Sequence, residues 1–178
     1  MRFTELPIGG AYAIEPEPTE DNRGFFARVF CRREFLANDL NPDVAQCSLS
    51  FNRVKGTLRG MHYQKAPYEE CKLVQCLVGS TFHVIIDLRE DSETYLKWAS
   101  LRLESTKKNM LYVPEGLAHG FLTLEDNCEV RYQISEFYHP DSGAGIRWND
   151  PAVGIDWPGD IVEISHRDRN FPDFEEGL

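Results

Sequence analysis

Seven short segments with a strand-like pattern follow one another through this chain, with almost no helical pattern between them. Each ends at glycine, proline or polar residues, as strands do. The seven segments cover residues 25–30, 72–78, 81–88, 97–103, 110–113, 120–124 and 129–135. This succession predicts an all-β fold, an antiparallel sandwich or barrel. Residues 32–40 form the best short-helix pattern, and one more short helix is expected near the end of the chain.

The length and charge of the chain narrow the classes of protein to consider. A length of 178 residues suits one domain, expected to span residues 1–178. The formal net charge of -10 argues against a nucleic-acid partner, because phosphate backbones are bound by clustered lysines and arginines. It is compatible with a local basic pocket for one phosphorylated small molecule. No stretch approaches the roughly 18 apolar residues of a membrane span, so no membrane partner is expected.

The cysteines and the first residues indicate the compartment. No long apolar signal core is present near Met1. The cysteines are odd in number and lack the close CxxC spacing of a zinc knuckle. They are Cys31, Cys47, Cys71, Cys76 and Cys128. We therefore expect free thiols and a cytoplasmic location.

The stretch from Arg59 to Gln64, followed shortly by Lys72, combines a guanidinium, an imidazole and an ammonium group in a region of β-like pattern. Because strand side chains alternate, Arg59 is expected on one face and His62 on the other. His62 would then be a proton acceptor on a rigid element, with cations near enough to hold an anion. A second histidine, His119, follows a Pro/Gly turn. The two histidines predict a site inside a β-barrel.

Five motifs occur in one order along the chain and carry a family resemblance. They are Asp21-x-Arg23-Gly24-x-Phe26, Arg59-Gly60-x-His62-Tyr63-Gln64, Lys72-Leu73-Val74, Pro114-x-Gly116-x-Ala118-His119-Gly120-Phe121 and Ile146-x-Trp148-Asn149-Asp150-Pro151. With them the chain resembles the dTDP-4-dehydrorhamnose 3,5-epimerase family of sugar-nucleotide epimerases. The resemblance implies a cupin-type jelly roll, no metal or other cofactor, and a nucleotide-diphosphate sugar with a 4-keto-6-deoxyhexose as substrate. It also implies a homodimer that exchanges N-terminal strands.

The resemblance also assigns roles to single residues. His62 matches the catalytic base, Asp168 the carboxylate that orients it, Tyr132 the general acid and Lys72 the group that stabilises the enolate. The matched substrate and phosphate contacts are Arg23, Gln46, Arg59 and His119, and Tyr138 matches the aromatic residue that stacks on the nucleotide base.

The chemistry of a 4-keto sugar explains why such residues are needed. C3 and C5 both adjoin the carbonyl, so removing a proton from either gives an enolate at O4. Imidazole, with an ordinary pKa of about 6.5, is mostly neutral at neutral pH and can accept that proton. A fixed cation near O4 stabilises the transition state more than the ground state, and a proton donor on the opposite face completes the inversion.

Four positions depart from the family pattern. Arg28 and Gly143 stand where glutamates are expected, Ser48 replaces an asparagine, and His83 replaces an aspartate. Arg28 and Ser48 are still expected to contact the substrate. Because arginine donates where a carboxylate accepts, these changes predict altered recognition: a nucleotide other than dTDP, or inversion at only one carbon.

Two other functions fit some of these residues. His62, His83 and His119 could converge in the barrel as ligands of a metal-dependent cupin, since imidazole suits Fe, Ni or Zn. The four departures also suit a sugar-nucleotide binder that has lost turnover. The first motif lacks the HxH pair of metal cupins, and a pure binder has little need for His62, Lys72 and Tyr132 together.

Overall fold

The computed structural model describes residues 1–174, which contain fourteen strands and two short helices. The strands are β1 (Arg2–Glu5), β2 (Tyr12–Glu15), β3 (Thr19–Asp21), β4 (Gly24–Phe26), β5 (Gln46–Asn52), β6 (Thr57–Gln64), β7 (Lys72–Val78), β8 (Ser80–Asp87), β9 (Trp98–Glu104), β10 (Met110–Val113), β11 (Leu117–Thr123), β12 (Cys128–Ile134), β13 (Gly143–Gly145) and β14 (Glu163–Ile164). The helices are α1 (Arg32–Leu36) and α2 (His166–Arg169). Neither has the length or apolar character to cross a membrane.

The strands form two main sheets and a separate hairpin. One sheet has the order β1-β2-β10-β7-β12-β5, and the other has the order β13-β6-β11-β8-β9, with β14 beside β6. Neighbouring strands are antiparallel, apart from the short parallel pair of β14 and β6. β3 and β4 pair only with each other within the described residues. The predicted all-β antiparallel architecture is confirmed.

The main apolar core lies between the two sheets. Val74 and Val130 come from the first sheet, and Ile85, Leu103 and Phe121 come from the second. All five are almost fully buried. Burial of apolar surface is the main favourable contribution to folding, and it stabilises the folded state by about 25 cal/mol for each Å² removed from water. This core holds the sheets at a fixed separation, which a site built from both of them requires.

The predicted elements match the structure best where strands are central and apolar. The segments 72–78 and 110–113 coincide with β7 and β10. The predicted strand 25–30 is wrong beyond Phe26, because β4 is an exposed hairpin strand that ends there. The predicted helix 32–40 ends at Leu36, and Asp39 adopts a positive φ of 57° that no helix continues through. The sequence pattern does not predict β1, β2, β3, β5, β13 or β14.

Candidate active site

A cavity of about 390 Å³ is lined by side chains from both sheets. Within residues 1–174 it brings together eight of the eleven predicted site residues: His62, Lys72, Tyr132, Gln46, Ser48, Arg59, His119 and Tyr138. Asp168 lies behind His62. Arg23 and Arg28 do not line the cavity of this chain. Gly143, one of the departures from the family pattern, also lines it.

A bulge in β6 puts Arg59 and His62 on the same cavity, so the prediction that they face opposite sides is wrong. On β11, His119 pairs with His62 and Phe121 pairs with Arg59, which leaves one extra residue on β6. Gly60 lies in the bulge with a φ of 121°, and a Cβ there would stand 2.5 Å from the Cα of Gly120. Only glycine suits that close approach.

His62 and Asp168 form a hydrogen-bonded pair. The distance from Nε2 of His62 to Oδ1 of Asp168 is 2.7 Å, and the amide of Gly60 donates to the other carboxylate oxygen at 3.1 Å. The hydroxyl of Ser165 caps α2 by accepting from the amide of Asp168, which fixes the helix start. An ionised carboxylate only accepts, so Nε2 of His62 carries the proton and Nδ1 keeps a free lone pair. This arrangement can accept a proton at Nδ1 and stabilise the resulting imidazolium.

Asp168 is buried, and its surroundings set its charge. Burial by itself would raise the pKa of Asp168, but hydrogen bonds from His62 and Gly60 outweigh burial and hold the pKa below its usual value. A depressed pKa stabilises the fold above the unfolded carboxyl pKa of about 3.9, and this contribution is lost as the pH falls through the folded pKa.

Asp168→Asn is therefore expected to lower the free energy of unfolding by about 1–2 kcal/mol at pH 7. The difference from wild type should begin to shrink below about pH 4, where the unfolded carboxyl binds a proton, and should shrink further as the pH falls through the lower pKa of the folded carboxyl. Urea unfolding of both proteins at pH 7 and at pH 3 measures it. A difference that stays constant with pH would contradict this account of Asp168.

Lys72 lies at the start of β7, almost buried in the cavity wall. Its Nζ is 2.9 Å from Oε1 of Glu70 and donates to the backbone carbonyl of His62 at 3.3 Å. Glu70 also lines the cavity. The sequence reasoning missed Glu70, although its place two residues before Lys72 was a usable signal. The ion pair offsets the cost of burying the ammonium group.

Tyr132, on β12, reaches the cavity from the sheet opposite His62. Burial raises the pKa of its phenol. Its ring packs edge-on against His119, with 6.3 Å between ring centroids. A phenol held in its protonated form can donate a proton to a group bound between the sheets.

The three histidines of the metal hypothesis do not present their nitrogens to one point. Nδ1 of His83 is hydrogen-bonded to Nε2 of His119 at 3.0 Å, and Nε2 of His83 is hydrogen-bonded to the hydroxyl of Thr81 at 2.8 Å. His62 is bonded instead to Asp168. Among residues 1–174 no group of three His, Cys, Asp or Glu side chains is arranged to hold a metal ion.

Polar and aromatic residues form the outer part of the cavity. The amide of Tyr138 donates to Oε1 of Gln46 at 2.7 Å, and Gln64 donates to the backbone carbonyl of Phe137, so the backbone that carries the exposed Tyr138 ring is held in place. Nε of Arg59 donates to Asn52 at 2.7 Å. Tyr138 thus offers an aromatic face for stacking and Arg59 offers a cation, and both can contact one elongated ligand.

Arg167 is a further cavity residue that the sequence reasoning missed. Its guanidinium donates to the carbonyl of Gly143 at 3.3 Å and lies 5.6 Å from the ring centroid of Phe171. Its position beside Asp168 was the only signal. Together Arg59 and Arg167 give this acidic protein a local basic pocket.

Arg23 and Arg28 lie on or beside the β3–β4 hairpin. The guanidinium of Arg23 forms an ion pair with the carboxylate of Asp21, and Nη1 of Arg28 is 3.6 Å from Oε1 of Glu34. Phe26 of the same hairpin is 77% exposed. Arg23 and Arg28 therefore lie outside this cavity within residues 1–174 of a single chain, and their contact with substrate stays a prediction.

Comparison with known proteins agrees with the fold and the cavity. A family model described as dTDP-4-dehydrorhamnose 3,5-epimerase matches residues 5–176. The dTDP-4-dehydrorhamnose 3,5-epimerase of Methanothermobacter thermautotrophicus is 42% identical over 179 residues, which covers 99% of this chain and 96% of that protein.

Solved structures extend this similarity to three dimensions. The dTDP-4-dehydrorhamnose 3,5-epimerase of Bacillus anthracis, with TDP and PPi bound, has a TM-score of 0.93 at 34% identity, covering 97% of this chain and 99% of that one. A double mutant of a 3'-monoepimerase from Streptomyces bikiniensis, in complex with dTDP, has a TM-score of 0.87 at 31% identity, covering 95% and 85%. The chain therefore belongs to the dTDP-4-dehydrorhamnose 3,5-epimerase family of isomerases, which have a cupin-type fold.

Proposed function

We propose that this protein epimerises an NDP-4-keto-6-deoxyhexose at C3, C5 or both. One observation carries the proposal: the His62–Asp168 pair, Lys72 and Tyr132 surround a single cavity. His62 and Tyr132 come from opposite sheets. A sugar ring bound between the sheets would therefore meet a base on one face and an acid on the other.

Each of these four residues has a distinct role in the proposed reaction. Nδ1 of His62 takes the proton from the carbon beside the ketone, and the C–H electron pair moves into an enolate with its charge on O4. Lys72 stabilises that charge, while Asp168 stabilises the imidazolium. The phenol of Tyr132 then returns a proton to the opposite face of the carbon. Solvent finally removes the proton from His62 and restores the one on Tyr132.

The nucleotide fits the outer part of the cavity. Arg59 and Arg167 would hold the diphosphate, since guanidinium groups suit phosphate oxygens, and Tyr138 would stack on the base. The relatives named for dTDP sugars make the dTDP form the first substrate to test. The prediction that Gly143 and Arg28 redirect recognition, to another nucleotide or to a single carbon, stays a prediction. A 3'-monoepimerase shares the fold, so the fold does not choose between one inversion and two.

Deuterium incorporation from D₂O into dTDP-, CDP- and GDP-4-keto-6-deoxyglucose, followed by proton NMR, tests the function. We expect exchange at C3 or C5 with at least one nucleotide, whereas a silent binder would give none. Tyr132→Phe should reduce net inversion by about 10²–10⁴-fold and reduce proton abstraction less, because only the returning donor is lost. Equal losses in both measurements would contradict the acid role. The histidine and tyrosine replaced in the 3'-monoepimerase mutant have the same sequence separation as His62 and Tyr132.

We also propose a homodimer in which the β3–β4 hairpin reaches the partner's cavity. Exposed Phe26 and Arg23 on a hairpin unpaired within the described residues support this. Light scattering at micromolar protein should give twice the chain mass. Arg23→Ala and His62→Asn, each impaired alone, should regain activity when unfolded and refolded together, because each mixed dimer has one intact site. Absence of complementation in confirmed mixed dimers would contradict action across subunits.

The biological setting follows from the substrate. Nucleotide sugars are made and used in the cytoplasm, so the protein would act there, in deoxysugar synthesis for cell-surface polysaccharides of the O-antigen type. Detecting the keto-sugar nucleotide accumulating in cells that lack the protein would test this placement.

A further inference from the structure

Three buried side chains form a hydrogen-bonded chain that the proposed reaction does not use. The hydroxyl of Thr81 is 2.8 Å from Nε2 of His83, and Nδ1 of His83 is 3.0 Å from Nε2 of His119. Thr81 and His83 are fully buried on β8. The series of hydrogen bonds ends at His119, which lines the cavity. The two imidazole rings are stacked with an angle of 9° between their planes, and the ring of Phe121 also stacks on His83.

We propose that Thr81 and His83 fix His119 as its Nδ1–H tautomer, so that His119 offers an uncharged hydrogen-bond donor to an oxygen of the bound keto sugar. The identity of the ligand rests on the proposed function. The tautomer itself is a property of the protein alone. Thr81 and His83 would thus be positioning residues that act through His119.

The direction of the hydrogen bonds follows from their chemistry. A neutral imidazole has one donor and one acceptor nitrogen, so the direction at one end decides the whole chain. The Thr81 hydroxyl can donate to Nε2 of His83 or turn towards the Cys76 thiol, with which it is also in contact. Imidazole nitrogen is a good acceptor and sulfur a weak one. Thr81 therefore donates to His83, His83 donates through Nδ1 to Nε2 of His119, and the proton of His119 lies on Nδ1.

The surroundings keep both rings neutral. Burial lowers the pKa of His83 to about 3. Burial also lowers the pKa of His119 well below its usual value, and the nearby Lys72 and His62 add to this. No carboxylate among residues 1–174 hydrogen-bonds to either ring. The proximity of Lys72, His62 and Tyr132 puts the ring of His119 at the sugar end of the cavity.

The histidine at position 83 allows His119 to donate from its Nδ1 while the ring of His119 stays neutral. An ionised aspartate, the residue of the family pattern at this position, can only accept. It would force Nε2 of His119 to donate, which leaves Nδ1 as an acceptor on a neutral ring or as a donor on a charged one. The change from acid to imidazole therefore alters what His119 presents to a ligand.

Nitrogen NMR of ¹⁵N-histidine-labelled, ligand-free protein tests the tautomer. His119, assigned by loss of its signals in His119→Gln, should show a protonated Nδ1 and an unprotonated Nε2. Thr81→Val has nearly the same shape but no donor, so it should move the proton of His119 to Nε2 in part or fully. Thr81→Ser keeps the hydroxyl and should leave the tautomer unchanged. A wild-type His119 protonated at Nε2, or a tautomer unaffected by Thr81→Val, would overturn the proposal.

Turnover then tests the link to the ligand. Thr81→Val should lower kcat/KM about tenfold, chiefly through KM, as expected for one lost hydrogen bond, and Thr81→Ser should restore it. An unchanged kcat/KM in a Thr81→Val protein whose tautomer has switched would overturn the ligand part. If wild type has the expected tautomer but turns over no keto-sugar nucleotide, the proposed function fails and the hydrogen-bonded chain stands.

Discussion

His62→Asn is expected to abolish solvent exchange at C3 and C5 of the keto-sugar nucleotide and to lower kcat/KM by about 10³-fold or more. Asparagine keeps a polar group beside Asp168 but cannot accept a proton near neutral pH. Tyr132 cannot substitute as the base at neutral pH, because burial holds its phenol protonated. Proton NMR in D₂O, with the purified protein and the dTDP sugar, measures exchange and inversion together.

The matched control is His166→Asn, on the same short helix as Asp168. His166 is exposed and outside the cavity, and surface substitutions away from a site are near neutral, so its replacement should leave exchange within about twofold of wild type. Thermal unfolding of both variants should remain cooperative. Substantial exchange by folded His62→Asn protein would mean that the proton goes to another group, of which Glu70 is the next to test because its carboxylate also lines the cavity.

The sequence is sufficient to predict those parts of the site that depend on regular strands and on motifs in a fixed order. Lys72 and Tyr132 were matched through the family resemblance, and they lie on the neighbouring inner strands β7 and β12, close to the segments 72–78 and 129–135 that the strand pattern predicts. Asp168 was matched through the family resemblance alone, and the structure explains its position through the Ser165 cap and the Gly60 amide.

The remaining features depend on contacts between residues far apart in the chain. The bulge at Gly60 requires the close approach of Gly120, which no pattern along β6 encodes. The pairing of His83 with His119 likewise needs β8 and β11 side by side. The exposed β3–β4 hairpin lacks the burial that gives strands a clear pattern, so its end at Phe26 was missed.

Lys72→Gln is the second large effect, with an expected loss of about 10²–10³-fold in kcat. The ammonium group is the fixed positive charge that the proposed reaction assigns to O4, and glutamine can offer only a neutral donor. KM should change less than kcat, because the negative charge on O4 develops during the reaction. Single-turnover measurement of proton abstraction separates this chemical step from product release.

Glu70 makes the interpretation of Lys72→Gln sharper. Removing the lysine leaves the Glu70 carboxylate, which is 2.9 Å from Nζ in the intact protein, unpaired beside the developing enolate. Part of the loss should therefore be repulsion, since an unpaired buried charge is costly and repels like charge. Lys72→Gln/Glu70→Gln should recover about tenfold in kcat relative to Lys72→Gln, whereas Glu70→Gln alone should stay within about tenfold of wild type. A double variant no faster than Lys72→Gln would show that the glutamate does not act through its charge. A Lys72→Gln protein with near-normal kcat would remove Lys72 from the reaction.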